Sequence, residues 1–144
     1  MISCKNINKK YGQVQVLKDV SLDLPTAKVI CITGPSGAGK STLLHIIGTL
    51  DKADSGEVLY NGQNIAGYKD KELAKFRNEN IGFVFQFHHL LPEFSAFENI
   101  CIPGYLGNKP VQEVQERAQY LLEILGMSHR SKHLPSELSG GEQQ

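Results

Sequence analysis

Residues Gly34-Pro35-Ser36-Gly37-Ala38-Gly39-Lys40-Ser41-Thr42 hold the strongest chemical signal in the chain. Two glycines five positions apart, then lysine and a hydroxyl, suit a polyanion. Consecutive amides in a tight turn can all point at one centre of negative charge. Glycines at 37 and 39 let the backbone come close to it. A helix starting near Gly39 adds its positive end and its unpaired N–H groups. Lys40 supplies a mobile point charge for β- and γ-phosphates, and Ser41 offers an oxygen to Mg²⁺. The pattern is GxxxxGK[ST], and its ligands are a nucleoside triphosphate and Mg²⁺. Taken alone, the turn does not separate a kinase from a GTPase or a transport motor.

A second segment makes that separation. Leu138-Ser139-Gly140-Gly141-Glu142-Gln143-Gln144 places a capping box, Ser139 to Glu142, ahead of two glycines. The spacing predicts another helix start with bare amides. One chain then carries two phosphate-facing segments, whereas one nucleotide needs one γ-phosphate cradle. Together the two segments resemble the ATP-binding cassette (ABC) family, whose signature reads LSGGQ. The resemblance covers essentially the whole chain. It implies that two such subunits pair head to tail, each signature closing on ATP held by the other's phosphate loop. It also implies that Tyr11 stacks its ring on adenine. Gln86, ending Ile81-Gly82-Phe83-Val84-Phe85, takes the role of the glutamine that reaches Mg²⁺ or the attacking water. Around that glutamine the run from Gly82 to Ile100 is very similar to the LolD-type subgroup of lipoprotein-releasing ATPases, with MacB and FtsE types less close. The segment Gly48 to Glu57 fits the same subgroup. The resemblance implies membrane permease subunits as partners and a peripheral, cytoplasmic place on the inner face of the bacterial plasma membrane. The transported molecule is not fixed by it.

The elements that must position these residues follow from periodicity. Ile2–Ile7, Val14–Val16 and Val20–Leu24 alternate, which predicts antiparallel strands with one wet face. Val29-Ile30-Cys31-Ile32 and Ile81 to Phe85 read as apolar strands, the first buried on both faces. Leu43, Leu44, Ile46, Ile47 and Leu50 recur at helical spacing. Asn61-Gly62 predicts a two-residue hairpin turn. A short polar helix is expected over 69–78, with Leu73 and Phe76 inward. Ser95 to Glu98 is a capping box. A helix over 111–125 carries Val111, Val114, Ala118, Leu121, Leu122 and Leu125 on one face and stops at Gly126. The fold class expected is α/β: a P-loop NTPase core of the ABC ATPase kind, with an antiparallel β subdomain and a helical subdomain, incomplete at the C-terminus. Residues 1–144 form one nucleotide-binding domain in this reading, the β subdomain plus core over about 1–86 and the helical subdomain over about 87–144.

Composition narrows the alternatives. The chain has 144 residues, with 15 Lys+Arg against 15 Asp+Glu. It lacks the basic footprint of a nucleic-acid binder, so no nucleic-acid partner is expected. No apolar run is long enough for a membrane span, and the N-terminus has no secretory pattern. Cys4, Cys31 and Cys101 form no CxxC pair and are expected as buried free thiols. His88-His89 has no partner at metal-ligand spacing, so the apolar stretch Phe87 to Phe94 is read as a surface for a membrane subunit instead. The family continues past its signature with a Walker B aspartate, a catalytic glutamate, a D-loop and a switch histidine. None is present here, and neither Glu137 nor Glu142 follows an apolar strand. No catalytic residue is therefore identified, and weak or absent turnover is expected from these 144 residues. The competing reading is a truncated, non-hydrolysing nucleotide-binding or dimerisation fragment. A soluble P-loop kinase would need lid arginines and an acceptor site, and residues 138–144 argue against it.

Overall fold

Alternation at the start of the chain becomes a long antiparallel hairpin, β1 (Ile2–Tyr11) with β2 (Val14–Leu24). On its other side β1 pairs with β3 (Ser55–Tyr60), which pairs with β4 (Gln63–Asn64), giving the order β2-β1-β3-β4. Asn61 and Gly62 join β3 to β4 at φ 49° and 83°, the positive dihedrals a two-residue turn requires. The computed structural model describes residues 1–85 and 89–144. It divides into two units, Met1–Arg77 and Asn78–Gln144.

The first unit is the sheet with α1 (Lys40–Ile47) against it. Leu43, Ile46 and Ile47 of α1 pack on Cys4, Ile7 and Leu17, while Leu44 and Leu50 are exposed. Bulges interrupt β1, with register shifts between Cys4 and Ile7 and again before Lys9. Asn6 and Asp19 take positive φ there, and the Asn6 amide donates to the Asp19 carboxylate at 2.6 Å. The bulge leaves Ile7 and Lys9 on one face, two residues apart. Lys9 is thereby carried into the buried layer at 8% exposure. The helix α2 (Asp70–Asn80) buries Leu73, and Phe76 meets Tyr60 edge-on at 4.8 Å. The Tyr60 hydroxyl donates to the Ile47 carbonyl.

The second unit is helical. Its helices are α3 (Ala96–Leu106), α4 (Val111–Ile124) and the short α5 (Gly140–Gln143), with single 3-10 turns at Ser128–Arg130 and Pro135–Glu137. The Ser95–Glu98 capping box forms as the sequence predicts. Val114, Ala118 and Leu122 are the buried stripe of α4, whereas Val111 and Leu125 are exposed. Gly104 of α3 sits so close to α4 that a Cβ there would lie 2.7 Å from Val114 Cγ2. Past α4 the Met127 amide closes on the Leu122 carbonyl at 2.7 Å and ends the helix.

Two expectations fail. Residues 29–32 and 81–85 are not in strands, and Val29 and Val84 are exposed at 102% and 81%. Apolarity on both faces describes what a central strand buries, but a strand exists only through a partner backbone. Among the described residues none pairs with either segment. Cys31 shares that exposure, so only Cys4 and Cys101 are buried thiols, and burial pushes both of their pKa values up.

Candidate functional site

The phosphate loop closes on itself. Ala38 N–H reaches the Pro35 carbonyl at 3.3 Å, and Lys40 Nζ donates to the carbonyls of Gly34 at 2.8 Å and Pro35 at 2.7 Å. Gly39 caps α1 in the left-handed region at φ 86°, with no side-chain cap bond. A Cβ on Gly39 would lie 2.8 Å from both Leu17 Cδ2 and the Val16 carbonyl oxygen. The loop is pressed onto β2 there, so glycine is a steric requirement as well as a dihedral one. The first bond inside α1 runs from Leu43 N–H to the Gly39 carbonyl. The amides of Gly37, Gly39, Lys40, Ser41 and Thr42 meet no protein acceptor among the described residues. Ser36, Gly37 and Ser41 are exposed, and Pro35 and Ala38 with them. A row of unpaired donors, one ammonium and the start of an eight-residue helix together favour a multiply charged anion. The Ser41 hydroxyl is in no hydrogen bond of the described residues, which suits an oxygen ligand for a hard cation.

Tyr11 ends β1 and is exposed. Its hydroxyl donates to Asp51 Oδ2 at 2.5 Å. The other Asp51 oxygen accepts from Lys9 Nζ at 2.7 Å, and Lys9 also donates to the Lys52 carbonyl at 2.6 Å. Lys9 Nζ stands 5.1 Å from the Tyr11 ring centroid. Burial pushes the Asp51 carboxyl up, but the bonds from Lys9 and Tyr11 and the Lys52 amide outweigh it and hold the carboxyl below its usual range. The bond to Asp51 raises the Lys9 ammonium against the smaller opposing effect of burial. Sequence reasoning missed Lys9 and Asp51. Lys9 has a readable trace, since it lies two residues past Ile7 on the same strand; the bulge that buries it does not show in the sequence.

The second candidate segment lies wholly in the Asn78–Gln144 unit. Ser139 caps α5 as a full capping box: Ser139 Oγ accepts from Glu142 N–H, and Ser139 N–H donates to Glu142 Oε2 at 2.7 Å. Leu138 is buried at 7%, while Gly140 and Gly141 are exposed. Arg130 Nε holds Glu142 Oε1 at 3.0 Å. The Ser139 amide and hydroxyl, then Arg130, bring the Glu142 carboxyl down to about 2. A carboxyl lowered by folding stabilises the fold above its unfolded pKa of 4.5, and that contribution goes as pH falls through about 2. Acidification across that window is expected to lower the protection factors of the Glu142 and Gln143 amides, that is, their exchange relative to the intrinsic rate at each pH, and Glu142→Gln is expected to remove the dependence. Hydrogen exchange followed by NMR checks both; a pH-independent α5 in the wild type contradicts the capping role. Glu137 is likewise occupied, accepting from Leu134 N–H at 2.7 Å. Neither carboxylate is left for general-base work.

Gln86, proposed from the sequence as a metal-site glutamine, lies outside the described residues, as do Phe87 and His88. Among the described residues no cluster of His, Cys, Asp or Glu could hold a metal ion, and no helix is long and apolar enough to cross a membrane. A cavity of about 800 Å³ opens between α3 and α4, lined by Phe97, Cys101, Tyr105, Gln119, Leu122 and Lys132 among others, all in the second unit. The phosphate loop is a different kind of site, an exposed cradle of main-chain amides.

The family described as ABC transporter matches residues 17–144. The chain is 50% identical over 144 residues, all of it and 67% of the relative, to the lipoprotein-releasing system ATP-binding protein LolD of Bacteroides fragilis. It is 46% identical to the protein of the same name from Idiomarina loihiensis, over 100% of this chain and 65% of that one. Among solved structures, the dimeric post-hydrolysis state of the ATP-binding cassette MJ0796 bound to ADP and Pi superposes with TM-score 0.89 at 38% identity, covering 99% of this chain and 65% of that one. A second dimeric structure of MJ0796, a bacterial ABC transporter cassette, gives TM-score 0.90. The chain spans about two thirds of the length of the relatives it matches.

Proposed function

This chain belongs to the ABC transporter family, and from that premise we propose that it is the ATP-binding part of a transport motor. In this reading MgATP sits on Gly34, Pro35, Ser36, Gly37, Ala38, Gly39, Lys40, Ser41 and Thr42, with the adenine on Tyr11. The observation that carries the reading is the set of amides of Gly37, Gly39, Lys40, Ser41 and Thr42, without acceptors among the described residues, beside the Lys40 ammonium. Ser41, with Gln86, would hold Mg²⁺. That ion would draw charge from the β- and γ-phosphate oxygens. Lys40 would exchange its two carbonyl partners for phosphate oxygens, and the α1 amides would orient the triphosphate.

Leu138, Ser139, Gly140, Gly141 and Glu142 act in trans in this reading, closing on the nucleotide of a second subunit in a head-to-tail pair. The MJ0796 structures being dimeric supports it. Residues 1–86 serve as β subdomain plus core and 87–144 as helical subdomain. The resemblance to LolD proteins favours lipoprotein release through membrane permease subunits, with the chain peripheral on the cytoplasmic face. Hydrolysis is a property of the ABC class; these 144 residues alone are expected to turn over ATP weakly or not at all, because Glu137 and Glu142 are both engaged in caps.

Reconstitution tests the motor reading. The protein is combined with its membrane subunits in proteoliposomes carrying a lipoprotein, and MgATP is expected to drive release into solution. Release that is equal with and without nucleotide, or binding of GTP and ATP without any effect on the membrane subunits, refutes it.

A further inference from the structure

The hydroxyl end of Tyr11 is tied down while its ring stays open. The phenol donates to Asp51 Oδ2 at 2.5 Å. Asp51 lies just past the end of α1, whose start carries the phosphate loop. Asp51 is itself anchored, by Lys9 Nζ at 2.7 Å and by the Lys52 amide at 2.7 Å from Oδ1. Lys9 is buried at 8% exposure and makes a second bond to the Lys52 carbonyl, so the anchor is fixed from beneath. Lys9 also stands over one face of the ring, which leaves the opposite face for a planar partner.

We infer that Asp51 is a positioning residue that holds the Tyr11 ring at a set distance and angle from the phosphate loop, so that a purine base and its triphosphate are received together. The inference rests on the reading of Tyr11 as the base-stacking residue. An unrestrained tyrosine at a strand end would sample several rotamers and lose that freedom on stacking. A phenol clamped at its far end has lost it already, and the ordering cost falls outside the binding step. The carboxylate suits this work because it accepts on both oxygens at once, from the phenol on one side and the ammonium on the other. Lys9 supports Asp51 and does not itself point to the nucleotide.

The test uses the ratio of two affinities of the same protein, measured by calorimetry: MgATP and magnesium tripolyphosphate. Tripolyphosphate has no base, so a general loss of fold lowers both affinities and leaves the ratio in place. Tyr11→Ala is expected to lower the ratio about tenfold to a hundredfold. Tyr11→Phe keeps the ring, removes only the bond to Asp51, and leaves the Lys9–Asp51 pair intact; it is expected to lower the ratio about threefold to tenfold. Asp51→Asn is expected to match Tyr11→Phe, and the double variant to equal Tyr11→Phe alone. If Tyr11→Ala lowers the ratio while Tyr11→Phe keeps the wild-type value, the positioning role is refuted and base stacking stands. If Tyr11→Phe lowers it and Asp51→Asn does not, Asp51 is not the anchor and the inference fails. If Tyr11→Ala leaves the ratio unchanged, the base-stacking reading itself fails.

Discussion

Replacing Lys40 with alanine lowers MgATP affinity at least about a hundredfold, about 2.7 kcal/mol. Two losses combine. The ammonium is the one charged donor that the loop folds around, and it ties the Gly34 and Pro35 carbonyls at 2.8 and 2.7 Å. Without it the loop keeps only the Ala38 to Pro35 bond at 3.3 Å as an internal tie. The second loss is electrostatic: a triphosphate then meets neutral amides alone, without a charge-assisted bond. The fold should survive, because Lys40 is half-buried and outside the Cys4–Ile47 core. Titration with a fluorescent nucleotide decides the matter, and an affinity equal to wild type would remove the phosphate loop from any account of this protein.

Gly39→Val is expected to be worse for the fold than for any other loop position. Valine would have to adopt φ 86°, in the left-handed region that β-branched side chains avoid. Its Cβ would also fall 2.8 Å from the Val16 carbonyl oxygen, which is strand backbone and cannot turn aside. Together these cost about 2–4 kcal/mol of stability. Gly37 provides the control, since it has φ 79° but open space where its Cβ would go. Gly37→Ala should lower the melting temperature through the dihedral strain alone and Gly39→Ala clearly more, the difference measuring the contact with β2. Equal losses in thermal denaturation would show that the close approach is not what glycine serves at position 39.

What was legible from the sequence was local. The Ser95–Glu98 and Ser139–Glu142 boxes, the Asn61-Gly62 turn and the Val114–Ala118–Leu122 stripe all depend on residues within a few positions of one another. The phosphate loop was legible for the same reason. The antiparallel hairpin of β1 and β2 followed from alternation. Residues 29–32 and 81–85 were misread because apolar composition records what a strand would bury, and the hydrogen-bonding partner is not written in the segment itself. The Lys9–Asp51–Tyr11 network stayed hidden because it joins positions about forty apart and depends on a bulge whose register no local pattern encodes. Of the residues recurring at helical spacing, Leu43, Ile46 and Ile47 are buried, whereas Leu44 is exposed and Leu50 lies past the end of α1.

In the run Val29-Ile30-Cys31-Ile32 the first three residues are exposed, whereas Ile32 packs partly against the core of α1 and the sheet. Among the described residues its backbone meets no partner strand, and Val29 and Ile30 are exposed and β-branched, so a neighbouring molecule's copy of the same run is an accessible partner. Crowding such molecules together invites intermolecular ladders that grow by stacking. Lys28, at the edge of the run, is the nearest charge opposing that growth.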